Sequence, residues 1–570
     1  MKRRISIFFT LFTLVSFGQG PDIEVEGVGT RYVEPAYRIS ETPKIIDTTI
    51  SSKVADYPLL VIQHPTTITL QDIDAAKIKT TEKLSQLYPF YVKLGIGSEL
   101  MPLGEVYFDS KRSRKFIYGA HVKHLSSFGN LKDYAPAQFD RSKFGVYGGI
   151  NENNYTLRGD IHYNNQGLHY YGWKIPTDSV SRDSIAQRYH DIGGIFSFAS
   201  HKKDSANLNF KVGLEYNHFT SLKPLVDSLS DWKGRENHFA INSSAWYKLG
   251  KEIFAADFGI RYNGYKYGIE DSALTVLDSG IVLNNTIVNL KPTISTFSKN
   301  KRFKATLGFD FVVDAHVKTK AHLYPVAEVK YSLFNDIFIP YVGLRGGLKQ
   351  NTYKSLVAEN EFVLTNLTMR NENRIIDFYG GFKGTLSKRI SFNIGASFAR
   401  IQDKALFVTD TVFSVGNKFN VIYDTLTLTT IEGSISYQLN EKLKLDGIGR
   451  FYSYSLLNNS YAWNLPQLQF IVRGHYNLFD KFLINLDVNM EQGRRALVYA
   501  MEPEDVTLED NQFVKELGFI ADVNLGLEYR YNQRISAFIQ LNNVASQRYN
   551  RWYNYPVQAF QVLGGITVRF

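Results

Sequence analysis

The C-terminal segment Phe560–Phe570 alternates between apolar and polar side chains up to the last residue of the chain. One side of the alternation comprises Phe560, Val562, Gly564, Ile566, Val568 and Phe570, and the other comprises Gln561, Gly565, Thr567 and Arg569, with Leu563 as the one apolar exception. Because successive side chains of a β-strand point to opposite faces, this pattern predicts a strand with an apolar surface toward one medium and a polar surface toward another. A soluble protein seldom ends on an exposed aromatic strand.

The same alternation recurs from Phe90 onward in stretches of about ten to fifteen residues. Charged side chains repeatedly occupy one face of these predicted strands, while Tyr and Phe bracket the other. A soluble β-sandwich would not repeatedly place charges on its inward face, whereas a water-filled lumen and a lipid-facing band with aromatic girdles suit this arrangement. The sequence therefore predicts an all-β membrane protein, a single transmembrane antiparallel β-barrel, which must close because an open sheet edge would leave backbone groups unpaired in hydrocarbon.

The charged residues predicted to line the lumen come from strands throughout this region. They are Arg158, Asp160, Asp257, Arg261, Asp446, Arg450, Arg473, Asp487, Asp522, Glu528 and Arg530. The final strand is predicted to carry the assembly signal, because Ile566, Val568 and Phe570 resemble the C-terminal aromatic segment that the barrel insertion machinery of the bacterial outer membrane reads.

The N-terminus has the pattern of a secretory signal peptide over residues 1–20. Lys2, Arg3 and Arg4 are positively charged, Ile5–Phe17 is apolar but too short to span a membrane, and Gly18–Gln19–Gly20 provides small residues at the exit. Together with the predicted barrel, this segment places the protein in the outer membrane of a Gram-negative bacterium, with both termini in the periplasm. The sequence contains no Cys, which excludes a lipoprotein anchor, a disulfide scaffold and a thiolate metal site.

Composition excludes two other classes. Aromatic residues make up 14% of the chain although its mean hydropathy is −0.21, as expected when every second strand residue faces lipid. After the signal peptide, no apolar run approaches the roughly 20 residues that a membrane helix needs. The net charge of +10 is spread over many short turns rather than gathered in one patch, which argues against a nucleic-acid partner.

Connections between the predicted strands alternate between short and long. The short ones fall at 111–114, 151–154, 202–205, 249–251, 298–301, 334–336, 387–389, 440–442, 478–480 and 532–534, and the longest of the others at 174–187, 219–234, 271–284, 351–373, 403–424 and 491–516. Counting backward from a periplasmic C-terminus predicts about 22 strands. Short turns on one side and long loops on the other match the periplasmic and extracellular rims of such barrels.

The last 60 or so residues carry a family resemblance. Leu541–Val544, Tyr549–Pro556 and the terminal strand resemble the last hairpin of a TonB-dependent receptor barrel, and the architecture is similar from Phe90 to Phe570. A barrel of 22 strands is the size that this resemblance implies. The Gly-Gln-Gly exit and the Tyr-rich strands resemble envelope proteins of Bacteroidetes.

The region before the barrel departs from that family. The resemblance implies an N-terminal plug of well over a hundred residues inside the lumen, together with a motif that grips TonB. Residues 21–88 are too few for such a plug, and they contain the extended Tyr57–Leu70 and a possible short helix over Gln71–Leu87. We therefore interpret the chain as a signal peptide (1–20), a reduced plug-like or periplasmic segment (21–88) and a barrel (89–570), a plugless or reduced-plug relative.

Motifs for chemistry are scarce, and we predict no catalytic, cofactor or metal site. Gly95–Ile96–Gly97 is better explained by a tight strand than by a dinucleotide site. The histidines at 162, 169, 190 and 475 lack zinc-site spacing. The acidic residues at 502, 504, 505, 509 and 510 lack the alternation of a calcium loop. The aromatic loops 169–173 and 549–555 suit interface anchoring or, alternatively, stacking on sugars.

Two functions remain open from the sequence. The first is passage of solutes across the outer membrane, either by diffusion or gated by TonB or by a separate plug or lipoprotein partner, with luminal charges of both signs setting selectivity. The second is a non-conducting structural or assembly subunit of an outer-membrane protein complex. What fills the lumen distinguishes the two.

Overall fold

A computed structural model describes residues 86–172, 181–201, 208–222, 232–269, 281–300, 302–499, 506–507 and 513–570. The chain divides into a unit over Met1–Leu87 and a unit over Tyr88–Phe570. Three predicted features lie outside the described residues. They are the signal peptide, all but the last three residues of the segment 21–88, and the acidic residues at 502, 504, 505, 509 and 510. They remain predictions.

The second unit is a 22-stranded antiparallel sheet. Its strands are β1 (Phe90–Gly97), β2 (Met101–Asp109), β3 (Phe116–Ser127), β4 (Phe139–Asn151), β5 (Tyr155–His169), β6 (Ala186–Ser200), β7 (Asn209–Ser221), β8 (Trp232–Leu249), β9 (Glu252–Ile269), β10 (Ile281–Phe297), β11 (Phe303–Ala315), β12 (Thr319–Tyr331), β13 (Ile339–Lys349), β14 (Glu372–Ser387), β15 (Ile390–Asp410), β16 (Lys418–Asn440), β17 (Leu443–Leu456), β18 (Leu468–Leu478), β19 (Phe482–Gln492), β23 (Ile520–Arg530), β24 (Ile535–Asn542) and β27 (Gln561–Arg569). The predicted fold class and strand number are confirmed.

Smaller elements occupy the long connections. They are a 3₁₀ helix (Arg182–Ile185), the helix α1 (Tyr353–Glu359), a three-stranded sheet of β20 (Arg494–Val498), β21 (Val506–Thr507) and β22 (Phe513–Leu517), and a hairpin of β25 (Asn550–Trp552) and β26 (Tyr555–Pro556). In the part of the chain that the structure describes, no helix combines the length and apolar character needed to cross a membrane.

The first and last barrel strands pair with each other and close the sheet. The register runs from Tyr91 opposite Arg569 to Gly97 opposite Leu563. At the rim, Phe90 and Phe570 exchange two backbone hydrogen bonds of 3.0 and 3.1 Å, and their rings stack with centroids 5.2 Å apart. Gly565 allows this close approach, because a Cβ there would overlap the carbonyl oxygen of Leu94.

The apolar side of the alternation faces outward. On the last strand, Val562, Ile566 and Phe570 are exposed, whereas Leu563 and Thr567 are buried. Ile161, Phe258 and Phe470 repeat the pattern on other strands. A closed barrel that exposes large apolar side chains all along its outer surface requires a lipid environment. The fold is therefore of the outer-membrane type.

Two predicted loops contain regular structure. Most of the loop predicted over 403–424 is an extension of β15 and β16, whose residues pair from Lys404 opposite Asp424 to Asp410 opposite Lys418. The loop predicted over 491–516 contains β20, β21 and most of β22. Both predictions were wrong in this respect, because strands that rise beyond the membrane no longer face lipid and lose the strict apolar alternation by which they were recognised.

The lipid face is expected to reject charge. Ile431 is half exposed on β16, paired between Ala396 and Phe451, whereas its neighbour Thr430 lies on the opposite face. Ile431→Arg should lower the free energy of unfolding by roughly 2–4 kcal/mol, because it places a cation in hydrocarbon. Urea titration of the protein folded into lipid vesicles measures this loss. Thr430→Arg is the control, and equal losses for both variants would contradict the facing of β16.

The last strand is expected to govern assembly. Phe570→Ala removes the terminal aromatic and its stacking on Phe90, and we expect the amount of folded protein in the outer membrane to fall several-fold. Heat-modifiable migration on gels of membrane fractions gives that amount. Val412→Ala, at an exposed turn residue, is the control. A level for Phe570→Ala equal to that of the control would refute the predicted role of Phe570.

Candidate functional site

The connection between β13 and β14, residues 350–371, folds across the inside of the barrel mouth. We refer to it as the cap segment. It contacts residues of β6, β8 and β9, which belong to one run of neighbouring strands, and of β16, which lies seven strands further along the wall. The wall residues that it meets, such as Asp191, Glu236 and Tyr265, are buried and lie opposite the exposed apolar face of their strands. Because β6 and β16 are ten strands apart in a closed wall of 22 strands, a segment that contacts both crosses the lumen at this end.

The cap segment packs through apolar side chains that are almost completely buried. Its buried side chains are Tyr353, Leu356, Val357, Phe362, Val363, Leu364, Leu367 and Met369. They join wall and loop residues in the largest described hydrophobic cluster. Burying a large apolar side chain stabilises by about 1.5–3 kcal/mol, so this packing holds the segment in one place.

Aromatic rings form the centre of that cluster. Phe362 stacks on Tyr555 with centroids 3.7 Å apart, and Tyr171 meets Tyr555 edge-on at 4.8 Å. The ring centroids of Tyr353 and of Tyr265 in the wall are 4.9 Å apart. Burial raises the pKa of the Tyr353 hydroxyl, which keeps it neutral. The rings therefore join the cap segment both to the wall and to the β25–β26 hairpin.

Helix α1 of the cap segment begins on a carboxylate of the barrel wall. Thr352 and Ser355 form a capping box, in which each side chain bonds to the other residue's backbone N–H. Glu236 of β8 accepts the backbone N–H of Tyr353 at 2.5 Å and that of Lys354 at 3.3 Å. The first N–H groups of a helix have no partners within the helix, so a buried acceptor at this position fixes where α1 starts.

Ion pairs hold the two ends of the α1 region. Lys354 Nζ lies 2.8 Å from Asp191 Oδ1, and Asp191 also accepts a hydrogen bond from Asn164 at 2.9 Å. Beyond the helix, Arg141 Nη2 lies 3.0 Å from Glu361 Oε2. Asp191 is largely buried, so removal of its cationic partner would leave a carboxylate poorly compensated.

The backbone of the cap segment also bonds to the wall. Leu364 donates its N–H to the Phe419 carbonyl at 2.9 Å, and the Phe419 N–H donates to the Phe362 carbonyl at 3.0 Å. Val363 and Phe419 thus form an isolated parallel bridge. The Tyr265 hydroxyl donates to the Thr365 carbonyl. These contacts satisfy backbone groups that would otherwise be buried without partners.

A second layer covers the mouth beside the cap segment. Trp463 is buried with Leu406 and Leu497, which joins the extended β15 to the sheet of β20 and β22. Arg494 of β20 donates hydrogen bonds of 2.8 and 2.9 Å to the carbonyls of Arg551 and Asn550. Burial lowers the pKa of Arg494 to about 10, so it stays charged at neutral pH. The described parts of these connections therefore pack together.

A half-open cleft of about 300 Å³ remains between the cap segment and the loops near the end of the chain. Tyr171, Glu361 and Phe362 line one part, and Asp522 and Tyr549 line another. The Tyr549 hydroxyl donates to Asp522 at 3.1 Å. The cleft combines aromatic faces with carboxylates, which suits a polar solute with an apolar surface. Among the described residues, no group of His, Asp or Glu side chains is arranged to hold a metal ion.

The residues predicted to line the lumen lie opposite the exposed apolar residues of their strands. Arg473 pairs with Asp487 on the neighbouring strand at 3.2 Å, so the structure brings these two together. Arg450 instead pairs with Glu432 at 2.7 Å, and Asp446 with Lys444 at 3.2 Å.

The other predicted residues are distributed around the barrel. Glu528 approaches Arg569 at 4.0 Å, and Asp160 approaches His162 at 3.8 Å. Arg158 lies on β5 opposite Gly149 of β4. Asp257 and Arg261 lie on β9, opposite Lys291 and Ile287 of β10. Arg530 is the last residue of β23. They are spread over six strands of the barrel rather than gathered in one site, and their lining of the lumen remains a prediction.

Sequence reasoning missed the residues that hold the cap segment, namely Asp191, Glu236, Lys354 and Glu361. A signal was present, because the loop predicted over 351–373 is rich in apolar residues that an exposed loop does not need. Thr352 could also have indicated a helix start, because it is a favoured N-cap residue that directly precedes apolar residues at helical spacing, Tyr353, Leu356 and Val357.

Comparison with known proteins supports the fold. No protein-family model and no curated protein matches the sequence. Among solved structures, the pyoverdine outer membrane receptor FpvA from Pseudomonas aeruginosa PAO1 has a TM-score of 0.61 at 11% identity, covering 85% of this chain and 79% of that one. The copper transporter OprC has a TM-score of 0.59 at 12% identity over 86% and 82%. The siderophore receptor PirA from Acinetobacter baumannii has a TM-score of 0.61 at 11% identity over 84% and 80%.

These similarities confirm the resemblance to TonB-dependent receptor barrels at the level of fold. At 11–12% identity, the similarity shows the fold but does not indicate which substrate this chain would bind.

The wall carboxylate at the start of α1 is expected to hold the cap segment in place. Glu236→Gln keeps the size of the side chain but replaces one of the two oxygens that accept from the helix N–H groups by an NH₂ donor. We expect amide hydrogen exchange of residues 353–356 to accelerate about tenfold, since a buried group that loses its hydrogen-bond partner costs about 1–3 kcal/mol. Glu215→Gln, on the neighbouring strand, is the matched control. Unchanged exchange in Glu236→Gln would show that packing alone fixes the cap segment.

Proposed function

We propose that the protein passes solutes across the outer membrane through its barrel, and that the cap segment closes the extracellular end between passages. The observation that carries the proposal is the combination of a charged inner wall with an apolar, self-contained closure of the mouth. A lumen inside 22 strands is wide enough to leak small solutes unless something occludes it.

The charged inner residues support a path for polar solutes. Pairs such as Arg473–Asp487 and Arg450–Glu432 supply both signs of charge along the wall. A non-conducting scaffold would gain more stability from an apolar filling of the lumen, because buried ion pairs are costly to desolvate. The dispersed charges act as the selectivity elements of this path.

The solved neighbours support the transport class. They are a pyoverdine receptor, a copper transporter and a siderophore receptor. These cargoes differ, so the proposal for this chain is restricted to polar solutes that fit the cleft near Tyr549 and Glu361. TonB, or a separate plug or lipoprotein partner, would supply the work that opens the cap segment. We propose that this partner contacts residues 21–88.

Locking the cap segment is expected to abolish passage. Val363 and Phe419 are bridge partners, which places their Cα atoms within the range of about 4.4–6.8 Å that a disulfide spans. The chain has no native Cys. The oxidised Val363→Cys/Phe419→Cys variant should show no solute uptake by cells or by proteoliposomes with the partner, and a reductant should restore it. Val363→Cys alone is the control.

Removing the closure gives the opposite test. Replacement of residues 352–370 by a short Gly–Ser linker should raise single-channel conductance in planar bilayers, both with and without residues 21–85. If truncation of 21–85 alone opens the pore, the closure is N-terminal. If the pore stays closed when both segments are removed, the transport proposal fails and a structural subunit of an envelope complex is favoured.

A further inference from the structure

Three lysines lie in one row across the first four strands of the barrel. Lys93 of β1 is opposite Glu105 of β2. Glu105 is opposite Lys123 of β3, which is in turn opposite Lys143 of β4. Neighbouring strands lie about 4.8 Å apart, so the row spans roughly 15 Å of the wall. We refer to the three lysines as the lysine row.

The lysine row lies on the inner face of the wall. Each lysine has a sequence neighbour that is exposed on the outer face, and these neighbours are Leu94, Val122 and Phe144. Because successive strand residues point to opposite faces, the lysines point inward. Arg141, on the same face two residues before Lys143, pairs with Glu361 of the cap segment at 3.0 Å. The row therefore begins just below the cap segment, on its periplasmic side.

Ion pairs do not neutralise the lysine row. In the part of the chain that the structure describes, no carboxylate oxygen lies within 4.0 Å of any of the three ammonium groups. Glu105 accepts the hydroxyl of Tyr107 at 3.1 Å. Lys123 and Lys143 face each other directly, and like charges in this arrangement destabilise a sheet. The stability of the barrel therefore does not explain why these lysines are present.

Other inner carboxylates near the row have partners of their own. These pairs are Asp109 with the Tyr147 hydroxyl, Asp160 with His162 at 3.8 Å, Asp191 with Lys354 at 2.8 Å, and Glu528 with Arg569 at 4.0 Å. The row itself thus contains three positive charges against the one negative charge of Glu105. Such a local excess of one sign on the wall of a lumen attracts ions of the opposite sign.

Aromatic rings position two of the ammonium groups. The Lys93 Nζ atom lies 4.3 Å from the centroid of the Phe538 ring, and the Lys123 Nζ atom lies 5.2 Å from that of the Tyr107 ring. The face of a ring attracts a cation but carries no net charge that would neutralise it. The lysines therefore keep their charge for a further, anionic partner.

We propose that the lysine row binds the phosphate group of the solutes that the barrel passes, an inference that rests on the proposed function. An ammonium group is a point charge with three N–H donors, and a phosphate ester offers up to two negative charges and several oxygen acceptors. Lys123 and Lys143 contact one phosphate from neighbouring strands, and Lys93 adds a third positive charge. The bound anion also relieves the repulsion between the facing lysines. The row narrows the proposed polar solutes to phosphorylated ones.

The test compares two variants that remove the same charge from the inner face. The row variant is Lys123→Gln/Lys143→Gln. The control variant is Lys211→Gln/Lys330→Gln, at inner positions of β7 and β12 that lie five strands apart. Each full-length protein is purified in detergent, shown to be folded by heat-modifiable gel migration, and titrated with glucose 6-phosphate. We expect the row variant to bind at least about tenfold more weakly than wild type, because it loses charge-assisted hydrogen bonds. The control should bind within about twofold of wild type.

Two further measurements separate binding from a structural role. Lys123→Arg/Lys143→Arg keeps both charges and should bind glucose 6-phosphate within about threefold of wild type, since arginine also binds phosphate. The row variant should unfold in urea at the same concentration as wild type or at a higher one, because it removes two facing like charges. A row variant that unfolds at a lower urea concentration would overturn the proposal by showing that the lysines stabilise the fold.

Ligands of similar size identify the anion. Glucose should bind wild type at least about tenfold more weakly than glucose 6-phosphate, and gluconate, with its single carboxylate, should fall between the two. Equal affinity for gluconate and glucose 6-phosphate would overturn the assignment to phosphate, and equal affinity of the row and control variants would overturn the role of the row. These titrations do not depend on passage. Row-dependent binding without uptake into proteoliposomes would contradict the proposed function alone, whereas uptake with unchanged binding in the row variant would contradict the lysine row alone.

Discussion

Pairing of the first and last strands is the constraint on which the rest of the structure depends. In hydrocarbon, each unpaired backbone group costs several kcal/mol, so the sheet can be stable only without edges. The Phe90–Phe570 hydrogen bonds and the approach of Gly565 to Leu94 complete that closure. Once the sheet is closed, alternate side chains are committed to lipid or to the lumen, and every luminal feature must come from the remaining half of each strand or from the connections.

The cap segment shows how a connection can fill part of this lumen. It brings its own apolar residues, so its position does not depend on an external partner for burial. Hydrogen bonds to the Glu236 side chain and to the Phe419 backbone, together with the ion pair to Asp191, then fix one position of the segment against the wall. Apolar packing supplies most of the stability, whereas the directional contacts supply the uniqueness, because a hydrogen bond tolerates much less displacement than a hydrophobic contact.

Inner and outer surfaces use charge differently. On the face opposite the exposed apolar residues, several charges form pairs across neighbouring strands, such as Arg473–Asp487. The outer face instead carries large exposed apolar side chains, such as Ile161, Phe258 and Phe470. Because the two surfaces are separated by a single layer of backbone, residues that are adjacent in sequence, such as Arg235 and Glu236, serve opposite sides of the wall.

The sequence by itself determined the barrel, its 22 strands and the facing of their side chains, because these follow from a period-two pattern that each strand carries locally. It also located the short turns, for example 532–534 between β23 and β24. It predicted the loop 351–373 but not that this loop turns inward, and it mistook the extended β15–β16 hairpin for a loop. Only the tertiary structure decided these points, since the position of Tyr353 depends on Glu236 and Tyr265, residues distant in the chain that meet it only after the barrel has closed.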